Sequence, residues 1–301
     1  MHVFLNGRFL AEPQAVVPIS DRGFLYGDGL FETLRVRHGR ALWWEEHLER
    51  LERGAGFLKL ALPWPPPALR GFAEKLIALN AMPESVLRLM LTRGSGPRGY
   101  STKEANQPTL AMTLHPLPPR GTSLRLVTAS LRIAANDPLA NYKTSSKLLA
   151  ILARAEAEER GADEALLLNT AGDVAEAAAS NVFWMENGVV CTPPLADGAL
   201  AGVTRGVVLG LCRARSARTE EKHIRQEELH RAEGVFLTSS VAGIVAVAEL
   251  DGDRLSQSPL IGELQAAYEE LLESKATDQR SEVRGQKSEV RGQKSTLMSD
   301  L

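Results

Sequence analysis

Residues 116–121 read Pro-Leu-Pro-Pro-Arg-Gly. Such a run can neither continue a helix nor sit centrally in a sheet, because proline donates no backbone hydrogen bond. Short Pro-rich connections act as stiff spacers, so the run predicts two folded units in a defined relation. A length of 301 residues agrees with that division, at ~150 residues per unit. Hydrophobic residues make up 44% and charged ones 24%, ample for a sizeable core and incompatible with wholesale disorder. The expected organisation is a small α/β unit over 1–117, a connection at 118–121, a larger unit over 122–273 and a tail over 274–301. In the tail, Ser281 to Lys287 recurs as Ser288 to Lys294. Each unit holds one apolar residue and a glycine, which offers no coiled-coil seam, so a disordered tail is expected.

Both units mix strands and helices, which defines an α+β chain. Val3 to Leu5 leads into Asn6-Gly7, a hairpin signal, and Arg8 to Leu10 carries on beyond it. A Gly-rich turn from Asp21 to Gly29 precedes an alternating strand over Leu30 to Val36. Leu48, Leu51 and Ala55 then fall on one helical face, with Arg50 and Arg53 beside it. A second helix is predicted over Ala68 to Asn80, and strands over Ser85 to Thr92 and Thr109 to Leu114. In the larger unit, strands are expected at Leu124 to Ala129, Glu164 to Asn169, Asn181 to Met185, Val189 to Thr192 and Val235 to Leu237. A helix is expected over Asn141 to Arg160, closed by Gly161, and another after Thr204 as its N-cap.

Several function classes lose support. Thirty-five Lys and Arg stand against 37 Asp and Glu, so no charge excess points to nucleic acid or an anionic membrane. Val235 to Ala248 is interrupted by polar residues and falls short of the ~20 a membrane helix needs. The apolar N-terminal run is broken by Asn6, Gly7 and Arg8, unlike a secretory leader. Two cysteines, Cys191 and Cys212, build no disulfide framework. With the N-terminus, they predict a cytoplasmic protein. No histidine pairs with a cysteine or a second histidine at ligand spacing, so no metal site is expected. Neither GxGxxG nor GxxxxGK[ST] occurs. Cys191 reads as ordinary strand packing.

Two residues stand out chemically. Lys143 lies in the uncharged polar run Asn141 to Ser146. At a helix start the macrodipole opposes its charge, which favours the neutral amine that Schiff-base chemistry needs; a solvated charge at a helix start is the plainer reading. Glu176 is the one carboxylate in Val174 to Asn181, and it either turns to solvent or answers a buried cation.

In order along the chain, these segments resemble the fold-type IV pyridoxal-phosphate enzymes, the class IV aminotransferase family. Asp21-Arg22-Gly23-Phe24-Leu25-Tyr26-Gly27-Asp28-Gly29-Leu30-Phe31-Glu32-Thr33 is followed by His47-Leu48-Glu49-Arg50-Leu51. Tyr142-Lys143-Thr144 comes next, then Glu176 with Ser180-Asn181-Val182-Phe183, Ala201-Gly202-Val203-Thr204-Arg205 and Phe236-Leu237-Thr238-Ser239-Ser240. The resemblance covers Phe4 to about Leu272. It implies that Lys143 carries pyridoxal 5′-phosphate covalently, that Glu176 pairs with the pyridine nitrogen, and that Arg50, Val203, Thr204 and Ser240 hold the phosphate. It also implies a small-molecule substrate and a homodimer.

Within the family, Thr92 to Ser101 and Ala162 to Leu168 are similar to the aminodeoxychorismate lyases, which implies elimination giving 4-aminobenzoate and pyruvate. D-amino-acid aminotransferases place histidine where Tyr100 stands and tyrosine where Phe31 stands; branched-chain aminotransferases rank behind them. Phe31, Arg98 and Tyr100 are therefore expected to meet the substrate, with Arg98 reaching the neighbouring subunit. Apolar stretches at Phe24 to Phe31 and Trp43-Trp44 are read as dimer interface or as small-unit core.

Overall fold

The computed structural model describes residues 1–119 and 121–296, with side chains through Thr277. Its first part is a sheet of β1 (His2–Leu5), β2 (Arg8–Ala11), β3 (Gly29–Arg37), β4 (Arg40–Ala41), β5 (Ser85–Thr92) and β6 (Thr109–His115). The order is β2-β1-β6-β5-β3-β4, antiparallel throughout. Asn6 and Gly7 join β1 to β2 with φ of 46° and 84°, the left-handed pair that a tight hairpin demands and that Asn-Gly adopts at low cost. The Gly-rich turn contains a short helix, α1 (Arg22–Tyr26), whose Asp21 cap accepts from Gly23 N at 2.8 Å.

Helices α2 (Trp44–Leu58) and α3 (Pro66–Asn80) cover one face of this sheet. Leu30, Leu34, Leu87, Leu89, Leu110 and Met112 meet Leu48, Leu51, Leu69 and Leu76 there in one apolar cluster. Residues two apart share a sheet face. Glu32 therefore points into this layer between Leu30 and Leu34, where an unpaired carboxylate would be costly. The other face carries Phe31, Thr33 and Arg35, paired across to Met90, Arg88 and Val86 of β5.

The second sheet has nine strands: β7 (Ser123–Ile133), β8 (Glu164–Asn169), β9 (Val174–Ala177), β10 (Asn181–Glu186), β11 (Val189–Thr192), β12 (Thr219–Glu221), β13 (Gly234–Ser239), β14 (Gly243–Leu250) and β15 (Asp253–Arg254). Its order is β12-β11-β10-β13-β14-β7-β8-β9, with β15 on β14. The pairs β11·β12, β7·β14 and β7·β8 are parallel and the rest antiparallel. Helices α4 (Leu148–Glu159), α5 (Val203–Ala214), α6 (Gln226–Leu229) and α7 (Pro259–Thr296) accompany it. The two sheets lie on either side of the proline-rich run, whose Arg120 is outside the described residues.

The turn between β4 and α2 locks the two parts together. Leu42 and Trp43 enter the cluster of the second part, and Trp43 stacks on Tyr268 of α7 at 5.5 Å. Arg37 reaches Glu269 and Glu273 on the same helix, at 3.3 and 2.6 Å. Trp43 and Trp44 are thus both buried, and only the Phe24 end of the apolar stretches stays exposed, at 72%.

Three sequence expectations are corrected. The helix expected from Asn141 begins at Leu148, because the preceding segment bonds to β3 instead: Phe31 N donates to Lys143 O and Ser145 N to Gly29 O. The N-cap of α5 is Gly202, and Thr204 is the second helical residue. At the C-terminus, α7 continues through the expected tail boundary to Thr296. Ala276 is fully buried in the same cluster as Leu272, so the packed chain extends past 273. Four of the seven residues in each repeat unit, Glu, Arg, Gln and Lys, are good helix formers.

Candidate active site

The site forms where β3 and α2 of the first part meet the Lys143 segment, β9, the start of α5 and the turn after β13. Its most buried element is an ion pair. Arg50 donates through Nε to Glu32 Oε1 at 2.8 Å and through Nη2 to Oε2 at 2.7 Å. This fork-to-fork geometry suits guanidinium and carboxylate, and both side chains are 5% exposed or less. His47, one helical turn before Arg50, places Nδ1 2.6 Å from the same Oε2. Burial alone would raise the Glu32 pKa, but the hydrogen bonds from Arg50 and His47 prevail and hold it at about 2. Glu32 thus aims two neighbours while staying charged.

The third arm of Arg50 leaves the pair, Nη1 donating to Ala201 O at 3.1 Å. Residues 200–202 form a strap held from both sides: Leu200 N donates to Glu176 Oε2 at 2.9 Å, and Leu200 O accepts from Asn181 Nδ2 at 2.8 Å. Gly202 closes it, because a Cβ there would stand 2.0 Å from Asn181 Oδ1. Glycine also offers no side-chain cap, so the first N–H groups of α5 keep no intrahelical acceptor. Beside them the Thr204 hydroxyl is buried and has no partner among the described residues. Opposite, Ser240 Oγ lies 3.3 Å from His47 Nε2. Arg35 holds the next carbonyl, Val241 O, at 3.3 Å, which ties this turn to β3.

Lys143 has its Nζ 4.6 Å from the centre of the Phe31 ring. Burial first, and then the Arg50 charge, lower its pKa from 10.5 to about 8. The cause is desolvation and a neighbouring cation rather than a helix dipole, since α4 starts five residues later. Burial also raises the Glu176 carboxyl, against the Leu200 N–H and the Lys147 and Lys143 charges. Lys147 is lowered by burial as well, but a turn of chain separates it from the contacts to β3.

The structure therefore brings Lys143, Glu176, Arg50, Val203, Thr204, Ser240 and Phe31 to one locality. Arg98 and Tyr100 are not gathered with them. Both are exposed, Tyr100 at 88%, on a loop pinned from behind by Arg22 Nη1 to Gly99 O at 2.8 Å and by Gly99 N to Tyr26 Oη at 3.1 Å. Three residues had no role from sequence. Glu32 was legible as a carboxylate at a core register of β3, and His47 as a polar residue on the Arg50 face of α2. Arg88 carries no such signal. Its guanidinium lies 4.2 Å from the Phe31 ring centre, with no hydrogen bond or ion pair among the described residues, and burial lowers its pKa. Arg88 is thus a half-buried cation stacked on the lysine's aromatic wall, with no carboxylate partner among the described residues.

A desolvated lysine, a buried acid and a set of fixed donors are the parts that a Schiff-base site for a phosphorylated group requires. The comparisons with known proteins agree. The chain belongs to the class IV aminotransferase family, whose model, amino-transferase class IV, matches residues 29–250; it is a fold-type IV enzyme, and the family's cofactor is pyridoxal 5′-phosphate. A Methanocaldococcus jannaschii protein provisionally named a branched-chain-amino-acid aminotransferase is 33% identical over 88% of this chain and 92% of its own. A D-alanine aminotransferase of Bacillus licheniformis is 30% identical over 89% and 96%. The crystal structure of 4-amino-4-deoxychorismate lyase from Pseudomonas aeruginosa superposes with a TM-score of 0.80 at 33% identity, covering 88% of this chain and 97% of that one. The residues present fit the cofactor: the partnerless Thr204 hydroxyl and the uncapped start of α5 are what a buried phosphate requires.

Among the described residues, no helix is long and apolar enough to cross a membrane.

Proposed function

We propose that this chain is a 4-amino-4-deoxychorismate lyase that releases 4-aminobenzoate and pyruvate, a reaction of folate biosynthesis. The observation carrying this reading is the wall beside Lys143. Phe31 presents an aromatic ring to Nζ and has no hydrogen-bond donor for the carboxylate of a small amino acid. A flat cyclohexadiene ring suits an aromatic lining better than a small aliphatic amino acid does, and Arg88, whose guanidinium lies over the Phe31 ring at 4.2 Å, answers a carboxylate on the substrate. The runs Thr92 to Ser101 and Ala162 to Leu168, similar to the lyases, support the same substrate.

Pyridoxal phosphate, when bound, supplies an electron sink for the pair left by a broken C–H bond. The chain's residues do the rest. Arg50, Ser240, Thr204 and the N–H groups of Val203 and Thr204 hold the phosphate end. Glu176, seated on Leu200 N, offers its carboxylate to the pyridine nitrogen and holds a proton there. Lys143 would hold the cofactor through Nζ and, as a free amine, would be the base this chain brings nearest to the ring proton. Its pKa of about 8 suits an amine that must be neutral to attack and protonated to return a proton.

A second reading, an aminotransferase, has its own support. Arg88 also suits the carboxylate of an amino or keto acid, and the M. jannaschii and B. licheniformis relatives carry aminotransferase names. Purified protein with 4-amino-4-deoxychorismate should release pyruvate and fluorescent 4-aminobenzoate in equal amounts. Turnover confined to D-alanine or branched-chain L-amino acids with 2-oxoglutarate would replace the lyase by the aminotransferase.

The working form is a homodimer in the cytoplasm. Its support is the exposed Arg98 and Tyr100 loop, together with Ile19 and Phe24, exposed at 80% and 72%. Residues that serve a substrate but stand free in one chain are accounted for if they reach a neighbour's site.

A further inference from the structure

A line of three side chains, the first two buried and the third half-buried, runs from β3 through α2 to the turn after β13. Glu32 Oε2 is 2.6 Å from His47 Nδ1, and His47 Nε2 is 3.3 Å from Ser240 Oγ. Glu32 is ionised at neutral pH and can only accept hydrogen bonds, so Nδ1 carries the proton and donates to it. Burial lowers the His47 pKa from 6.5, which keeps the ring neutral and leaves a lone pair on Nε2. That lone pair accepts from the Ser240 hydroxyl. A serine has one proton, so Ser240 cannot donate to His47 and to an arriving phosphate at once. Keeping the proton on His47 would turn the serine lone pairs toward a dianion. Moving it to the phosphate would leave two lone pairs facing each other at Nε2 and Oγ.

We infer that His47 is the proton acceptor of the phosphate site: as the dianion engages Ser240, the hydroxyl turns its proton to a phosphate oxygen and His47 takes one proton from solvent at Nε2, which then donates to Ser240 Oγ. One N–H bond forms as the bond to that proton breaks in hydronium or a buffer acid, so one proton is consumed per site and no bond within the protein breaks. The inference rests on the reading that Ser240 faces the cofactor phosphate. The charged groups facing His47 are Glu32 from β3, Arg50 on its own helix and Lys143 from the segment before α4. Arg50 and Lys143 oppose its protonation and Glu32 favours it. The incoming dianion shifts that balance. His47 is thus a positioning residue, coupling cofactor affinity to pH through a serine.

The test uses pyridoxine 5′-phosphate, which lacks the aldehyde and cannot join Lys143. At pH 7.5 a phosphate monoester is already close to a dianion. Calorimetric titration in two buffers of different ionisation heat counts the protons taken up. The native protein should take up close to one per site, with Kd rising up to about tenfold per pH unit above 7.5. His47→Gln should bind with uptake near zero and a flat pH profile, and Ser240→Ala should lower the uptake severalfold. In the native protein, ¹⁵N-histidine spectra should show the Nε2 of His47 passing from unprotonated to protonated on saturation, a readout independent of whether either variant folds. Binding with Nε2 still unprotonated, or uptake unchanged in His47→Gln, would overturn the relay while leaving the phosphate site intact. Failure of pyridoxine 5′-phosphate to bind at all would overturn the reading of the site, and the relay with it.

Discussion

Two arginine-bearing regions of the chain, around Arg50 and around Arg98, are built on opposite plans. Arg50 is buried, bonded to both oxygens of Glu32, and linked onward to the Ala201 strap and the start of α5. Arg98 stands in solvent on a loop whose backbone is held but whose side chain is not. The first region is finished within one chain. A phosphate needs fixed donors, and a rigid cradle loses little entropy on binding it. The second is finished only by something that arrives, a substrate or a neighbouring subunit. If the proposed function holds, the cofactor chemistry shared across the family lives in the first region and the choice of substrate in the second.

The largest break in this contrast should come at Lys143. Lys143→Ala should lose roughly 10²–10⁴-fold or more in turnover, measured against Lys147→Ala, which should stay within about tenfold. Unequal losses mark Lys143 as the attachment point. Equal losses would mean that the segment as a whole, and not one amine, does the work.

Next in size is Glu32→Ala, which strands Arg50 in the interior. Removing one partner of a buried pair costs roughly 3–5 kcal/mol, readable by urea unfolding of the cofactor-free protein. The pH dependence carries the same signature. Glu32 has a folded pKa of about 2, below the 4.5 of a free glutamate, so its contribution is complete above about 4.5 and fades as pH falls toward 2. Native protein should therefore lose stability over that window more steeply than Glu32→Gln. Identical acid profiles would show that the pair contributes nothing net.

Substrate-side changes should be smaller and should separate the two regions. Arg88→Leu should raise KM about tenfold to a hundredfold for a carboxylate substrate while leaving pyridoxine 5′-phosphate affinity unchanged. Arg98→Ala should do the same, with one difference. Mixed with Lys143→Ala and refolded, it should regain activity, because a mixed dimer holds one site with both residues intact. No recovery despite proven subunit exchange would place Arg98 in its own chain's site. Recovery with Arg88→Leu in its place would contradict the placement of Arg88 beside Phe31 of the same chain.

The smallest effect concerns the rate of attachment rather than its outcome. Lys143 is lowered to about 8, so its neutral fraction grows about tenfold per pH unit below that value and levels above it. Attachment of pyridoxal phosphate, followed by absorbance, should trace that curve. A rise continuing to pH 10 would mean that the amine is not desolvated.

Much of this was legible in the sequence because local patterns report local structure. Asn6-Gly7 marked its hairpin, and Leu48, Leu51 and Ala55 marked the buried face of α2. Lys143 and Glu176 stood out as charges in small or polar surroundings. Two of the misreadings come from partners distant in sequence. Asn141 to Lys147 has helical spacing, but β3 claims its amides and carbonyls, and no window of sequence shows that. Trp43 reads as dimer interface or small-unit core until Tyr268, far along the chain, is seen to stack on it. Glu32 and His47 needed the same long view, since the value of a buried carboxylate lies in which cations reach it. Arg88 was the hardest, because an unmatched cation is recognised by partners that never come.

The central claim is that the desolvated amine of Lys143 is where this chain takes its cofactor. Reduction of the protein with borohydride in the presence of pyridoxal phosphate, followed by peptide mass mapping, tests it directly. The account predicts one phosphopyridoxyl group per chain, on Lys143, and none on Lys147. A stable adduct on Lys147 or on a surface lysine, with Lys143 unmodified, would contradict it.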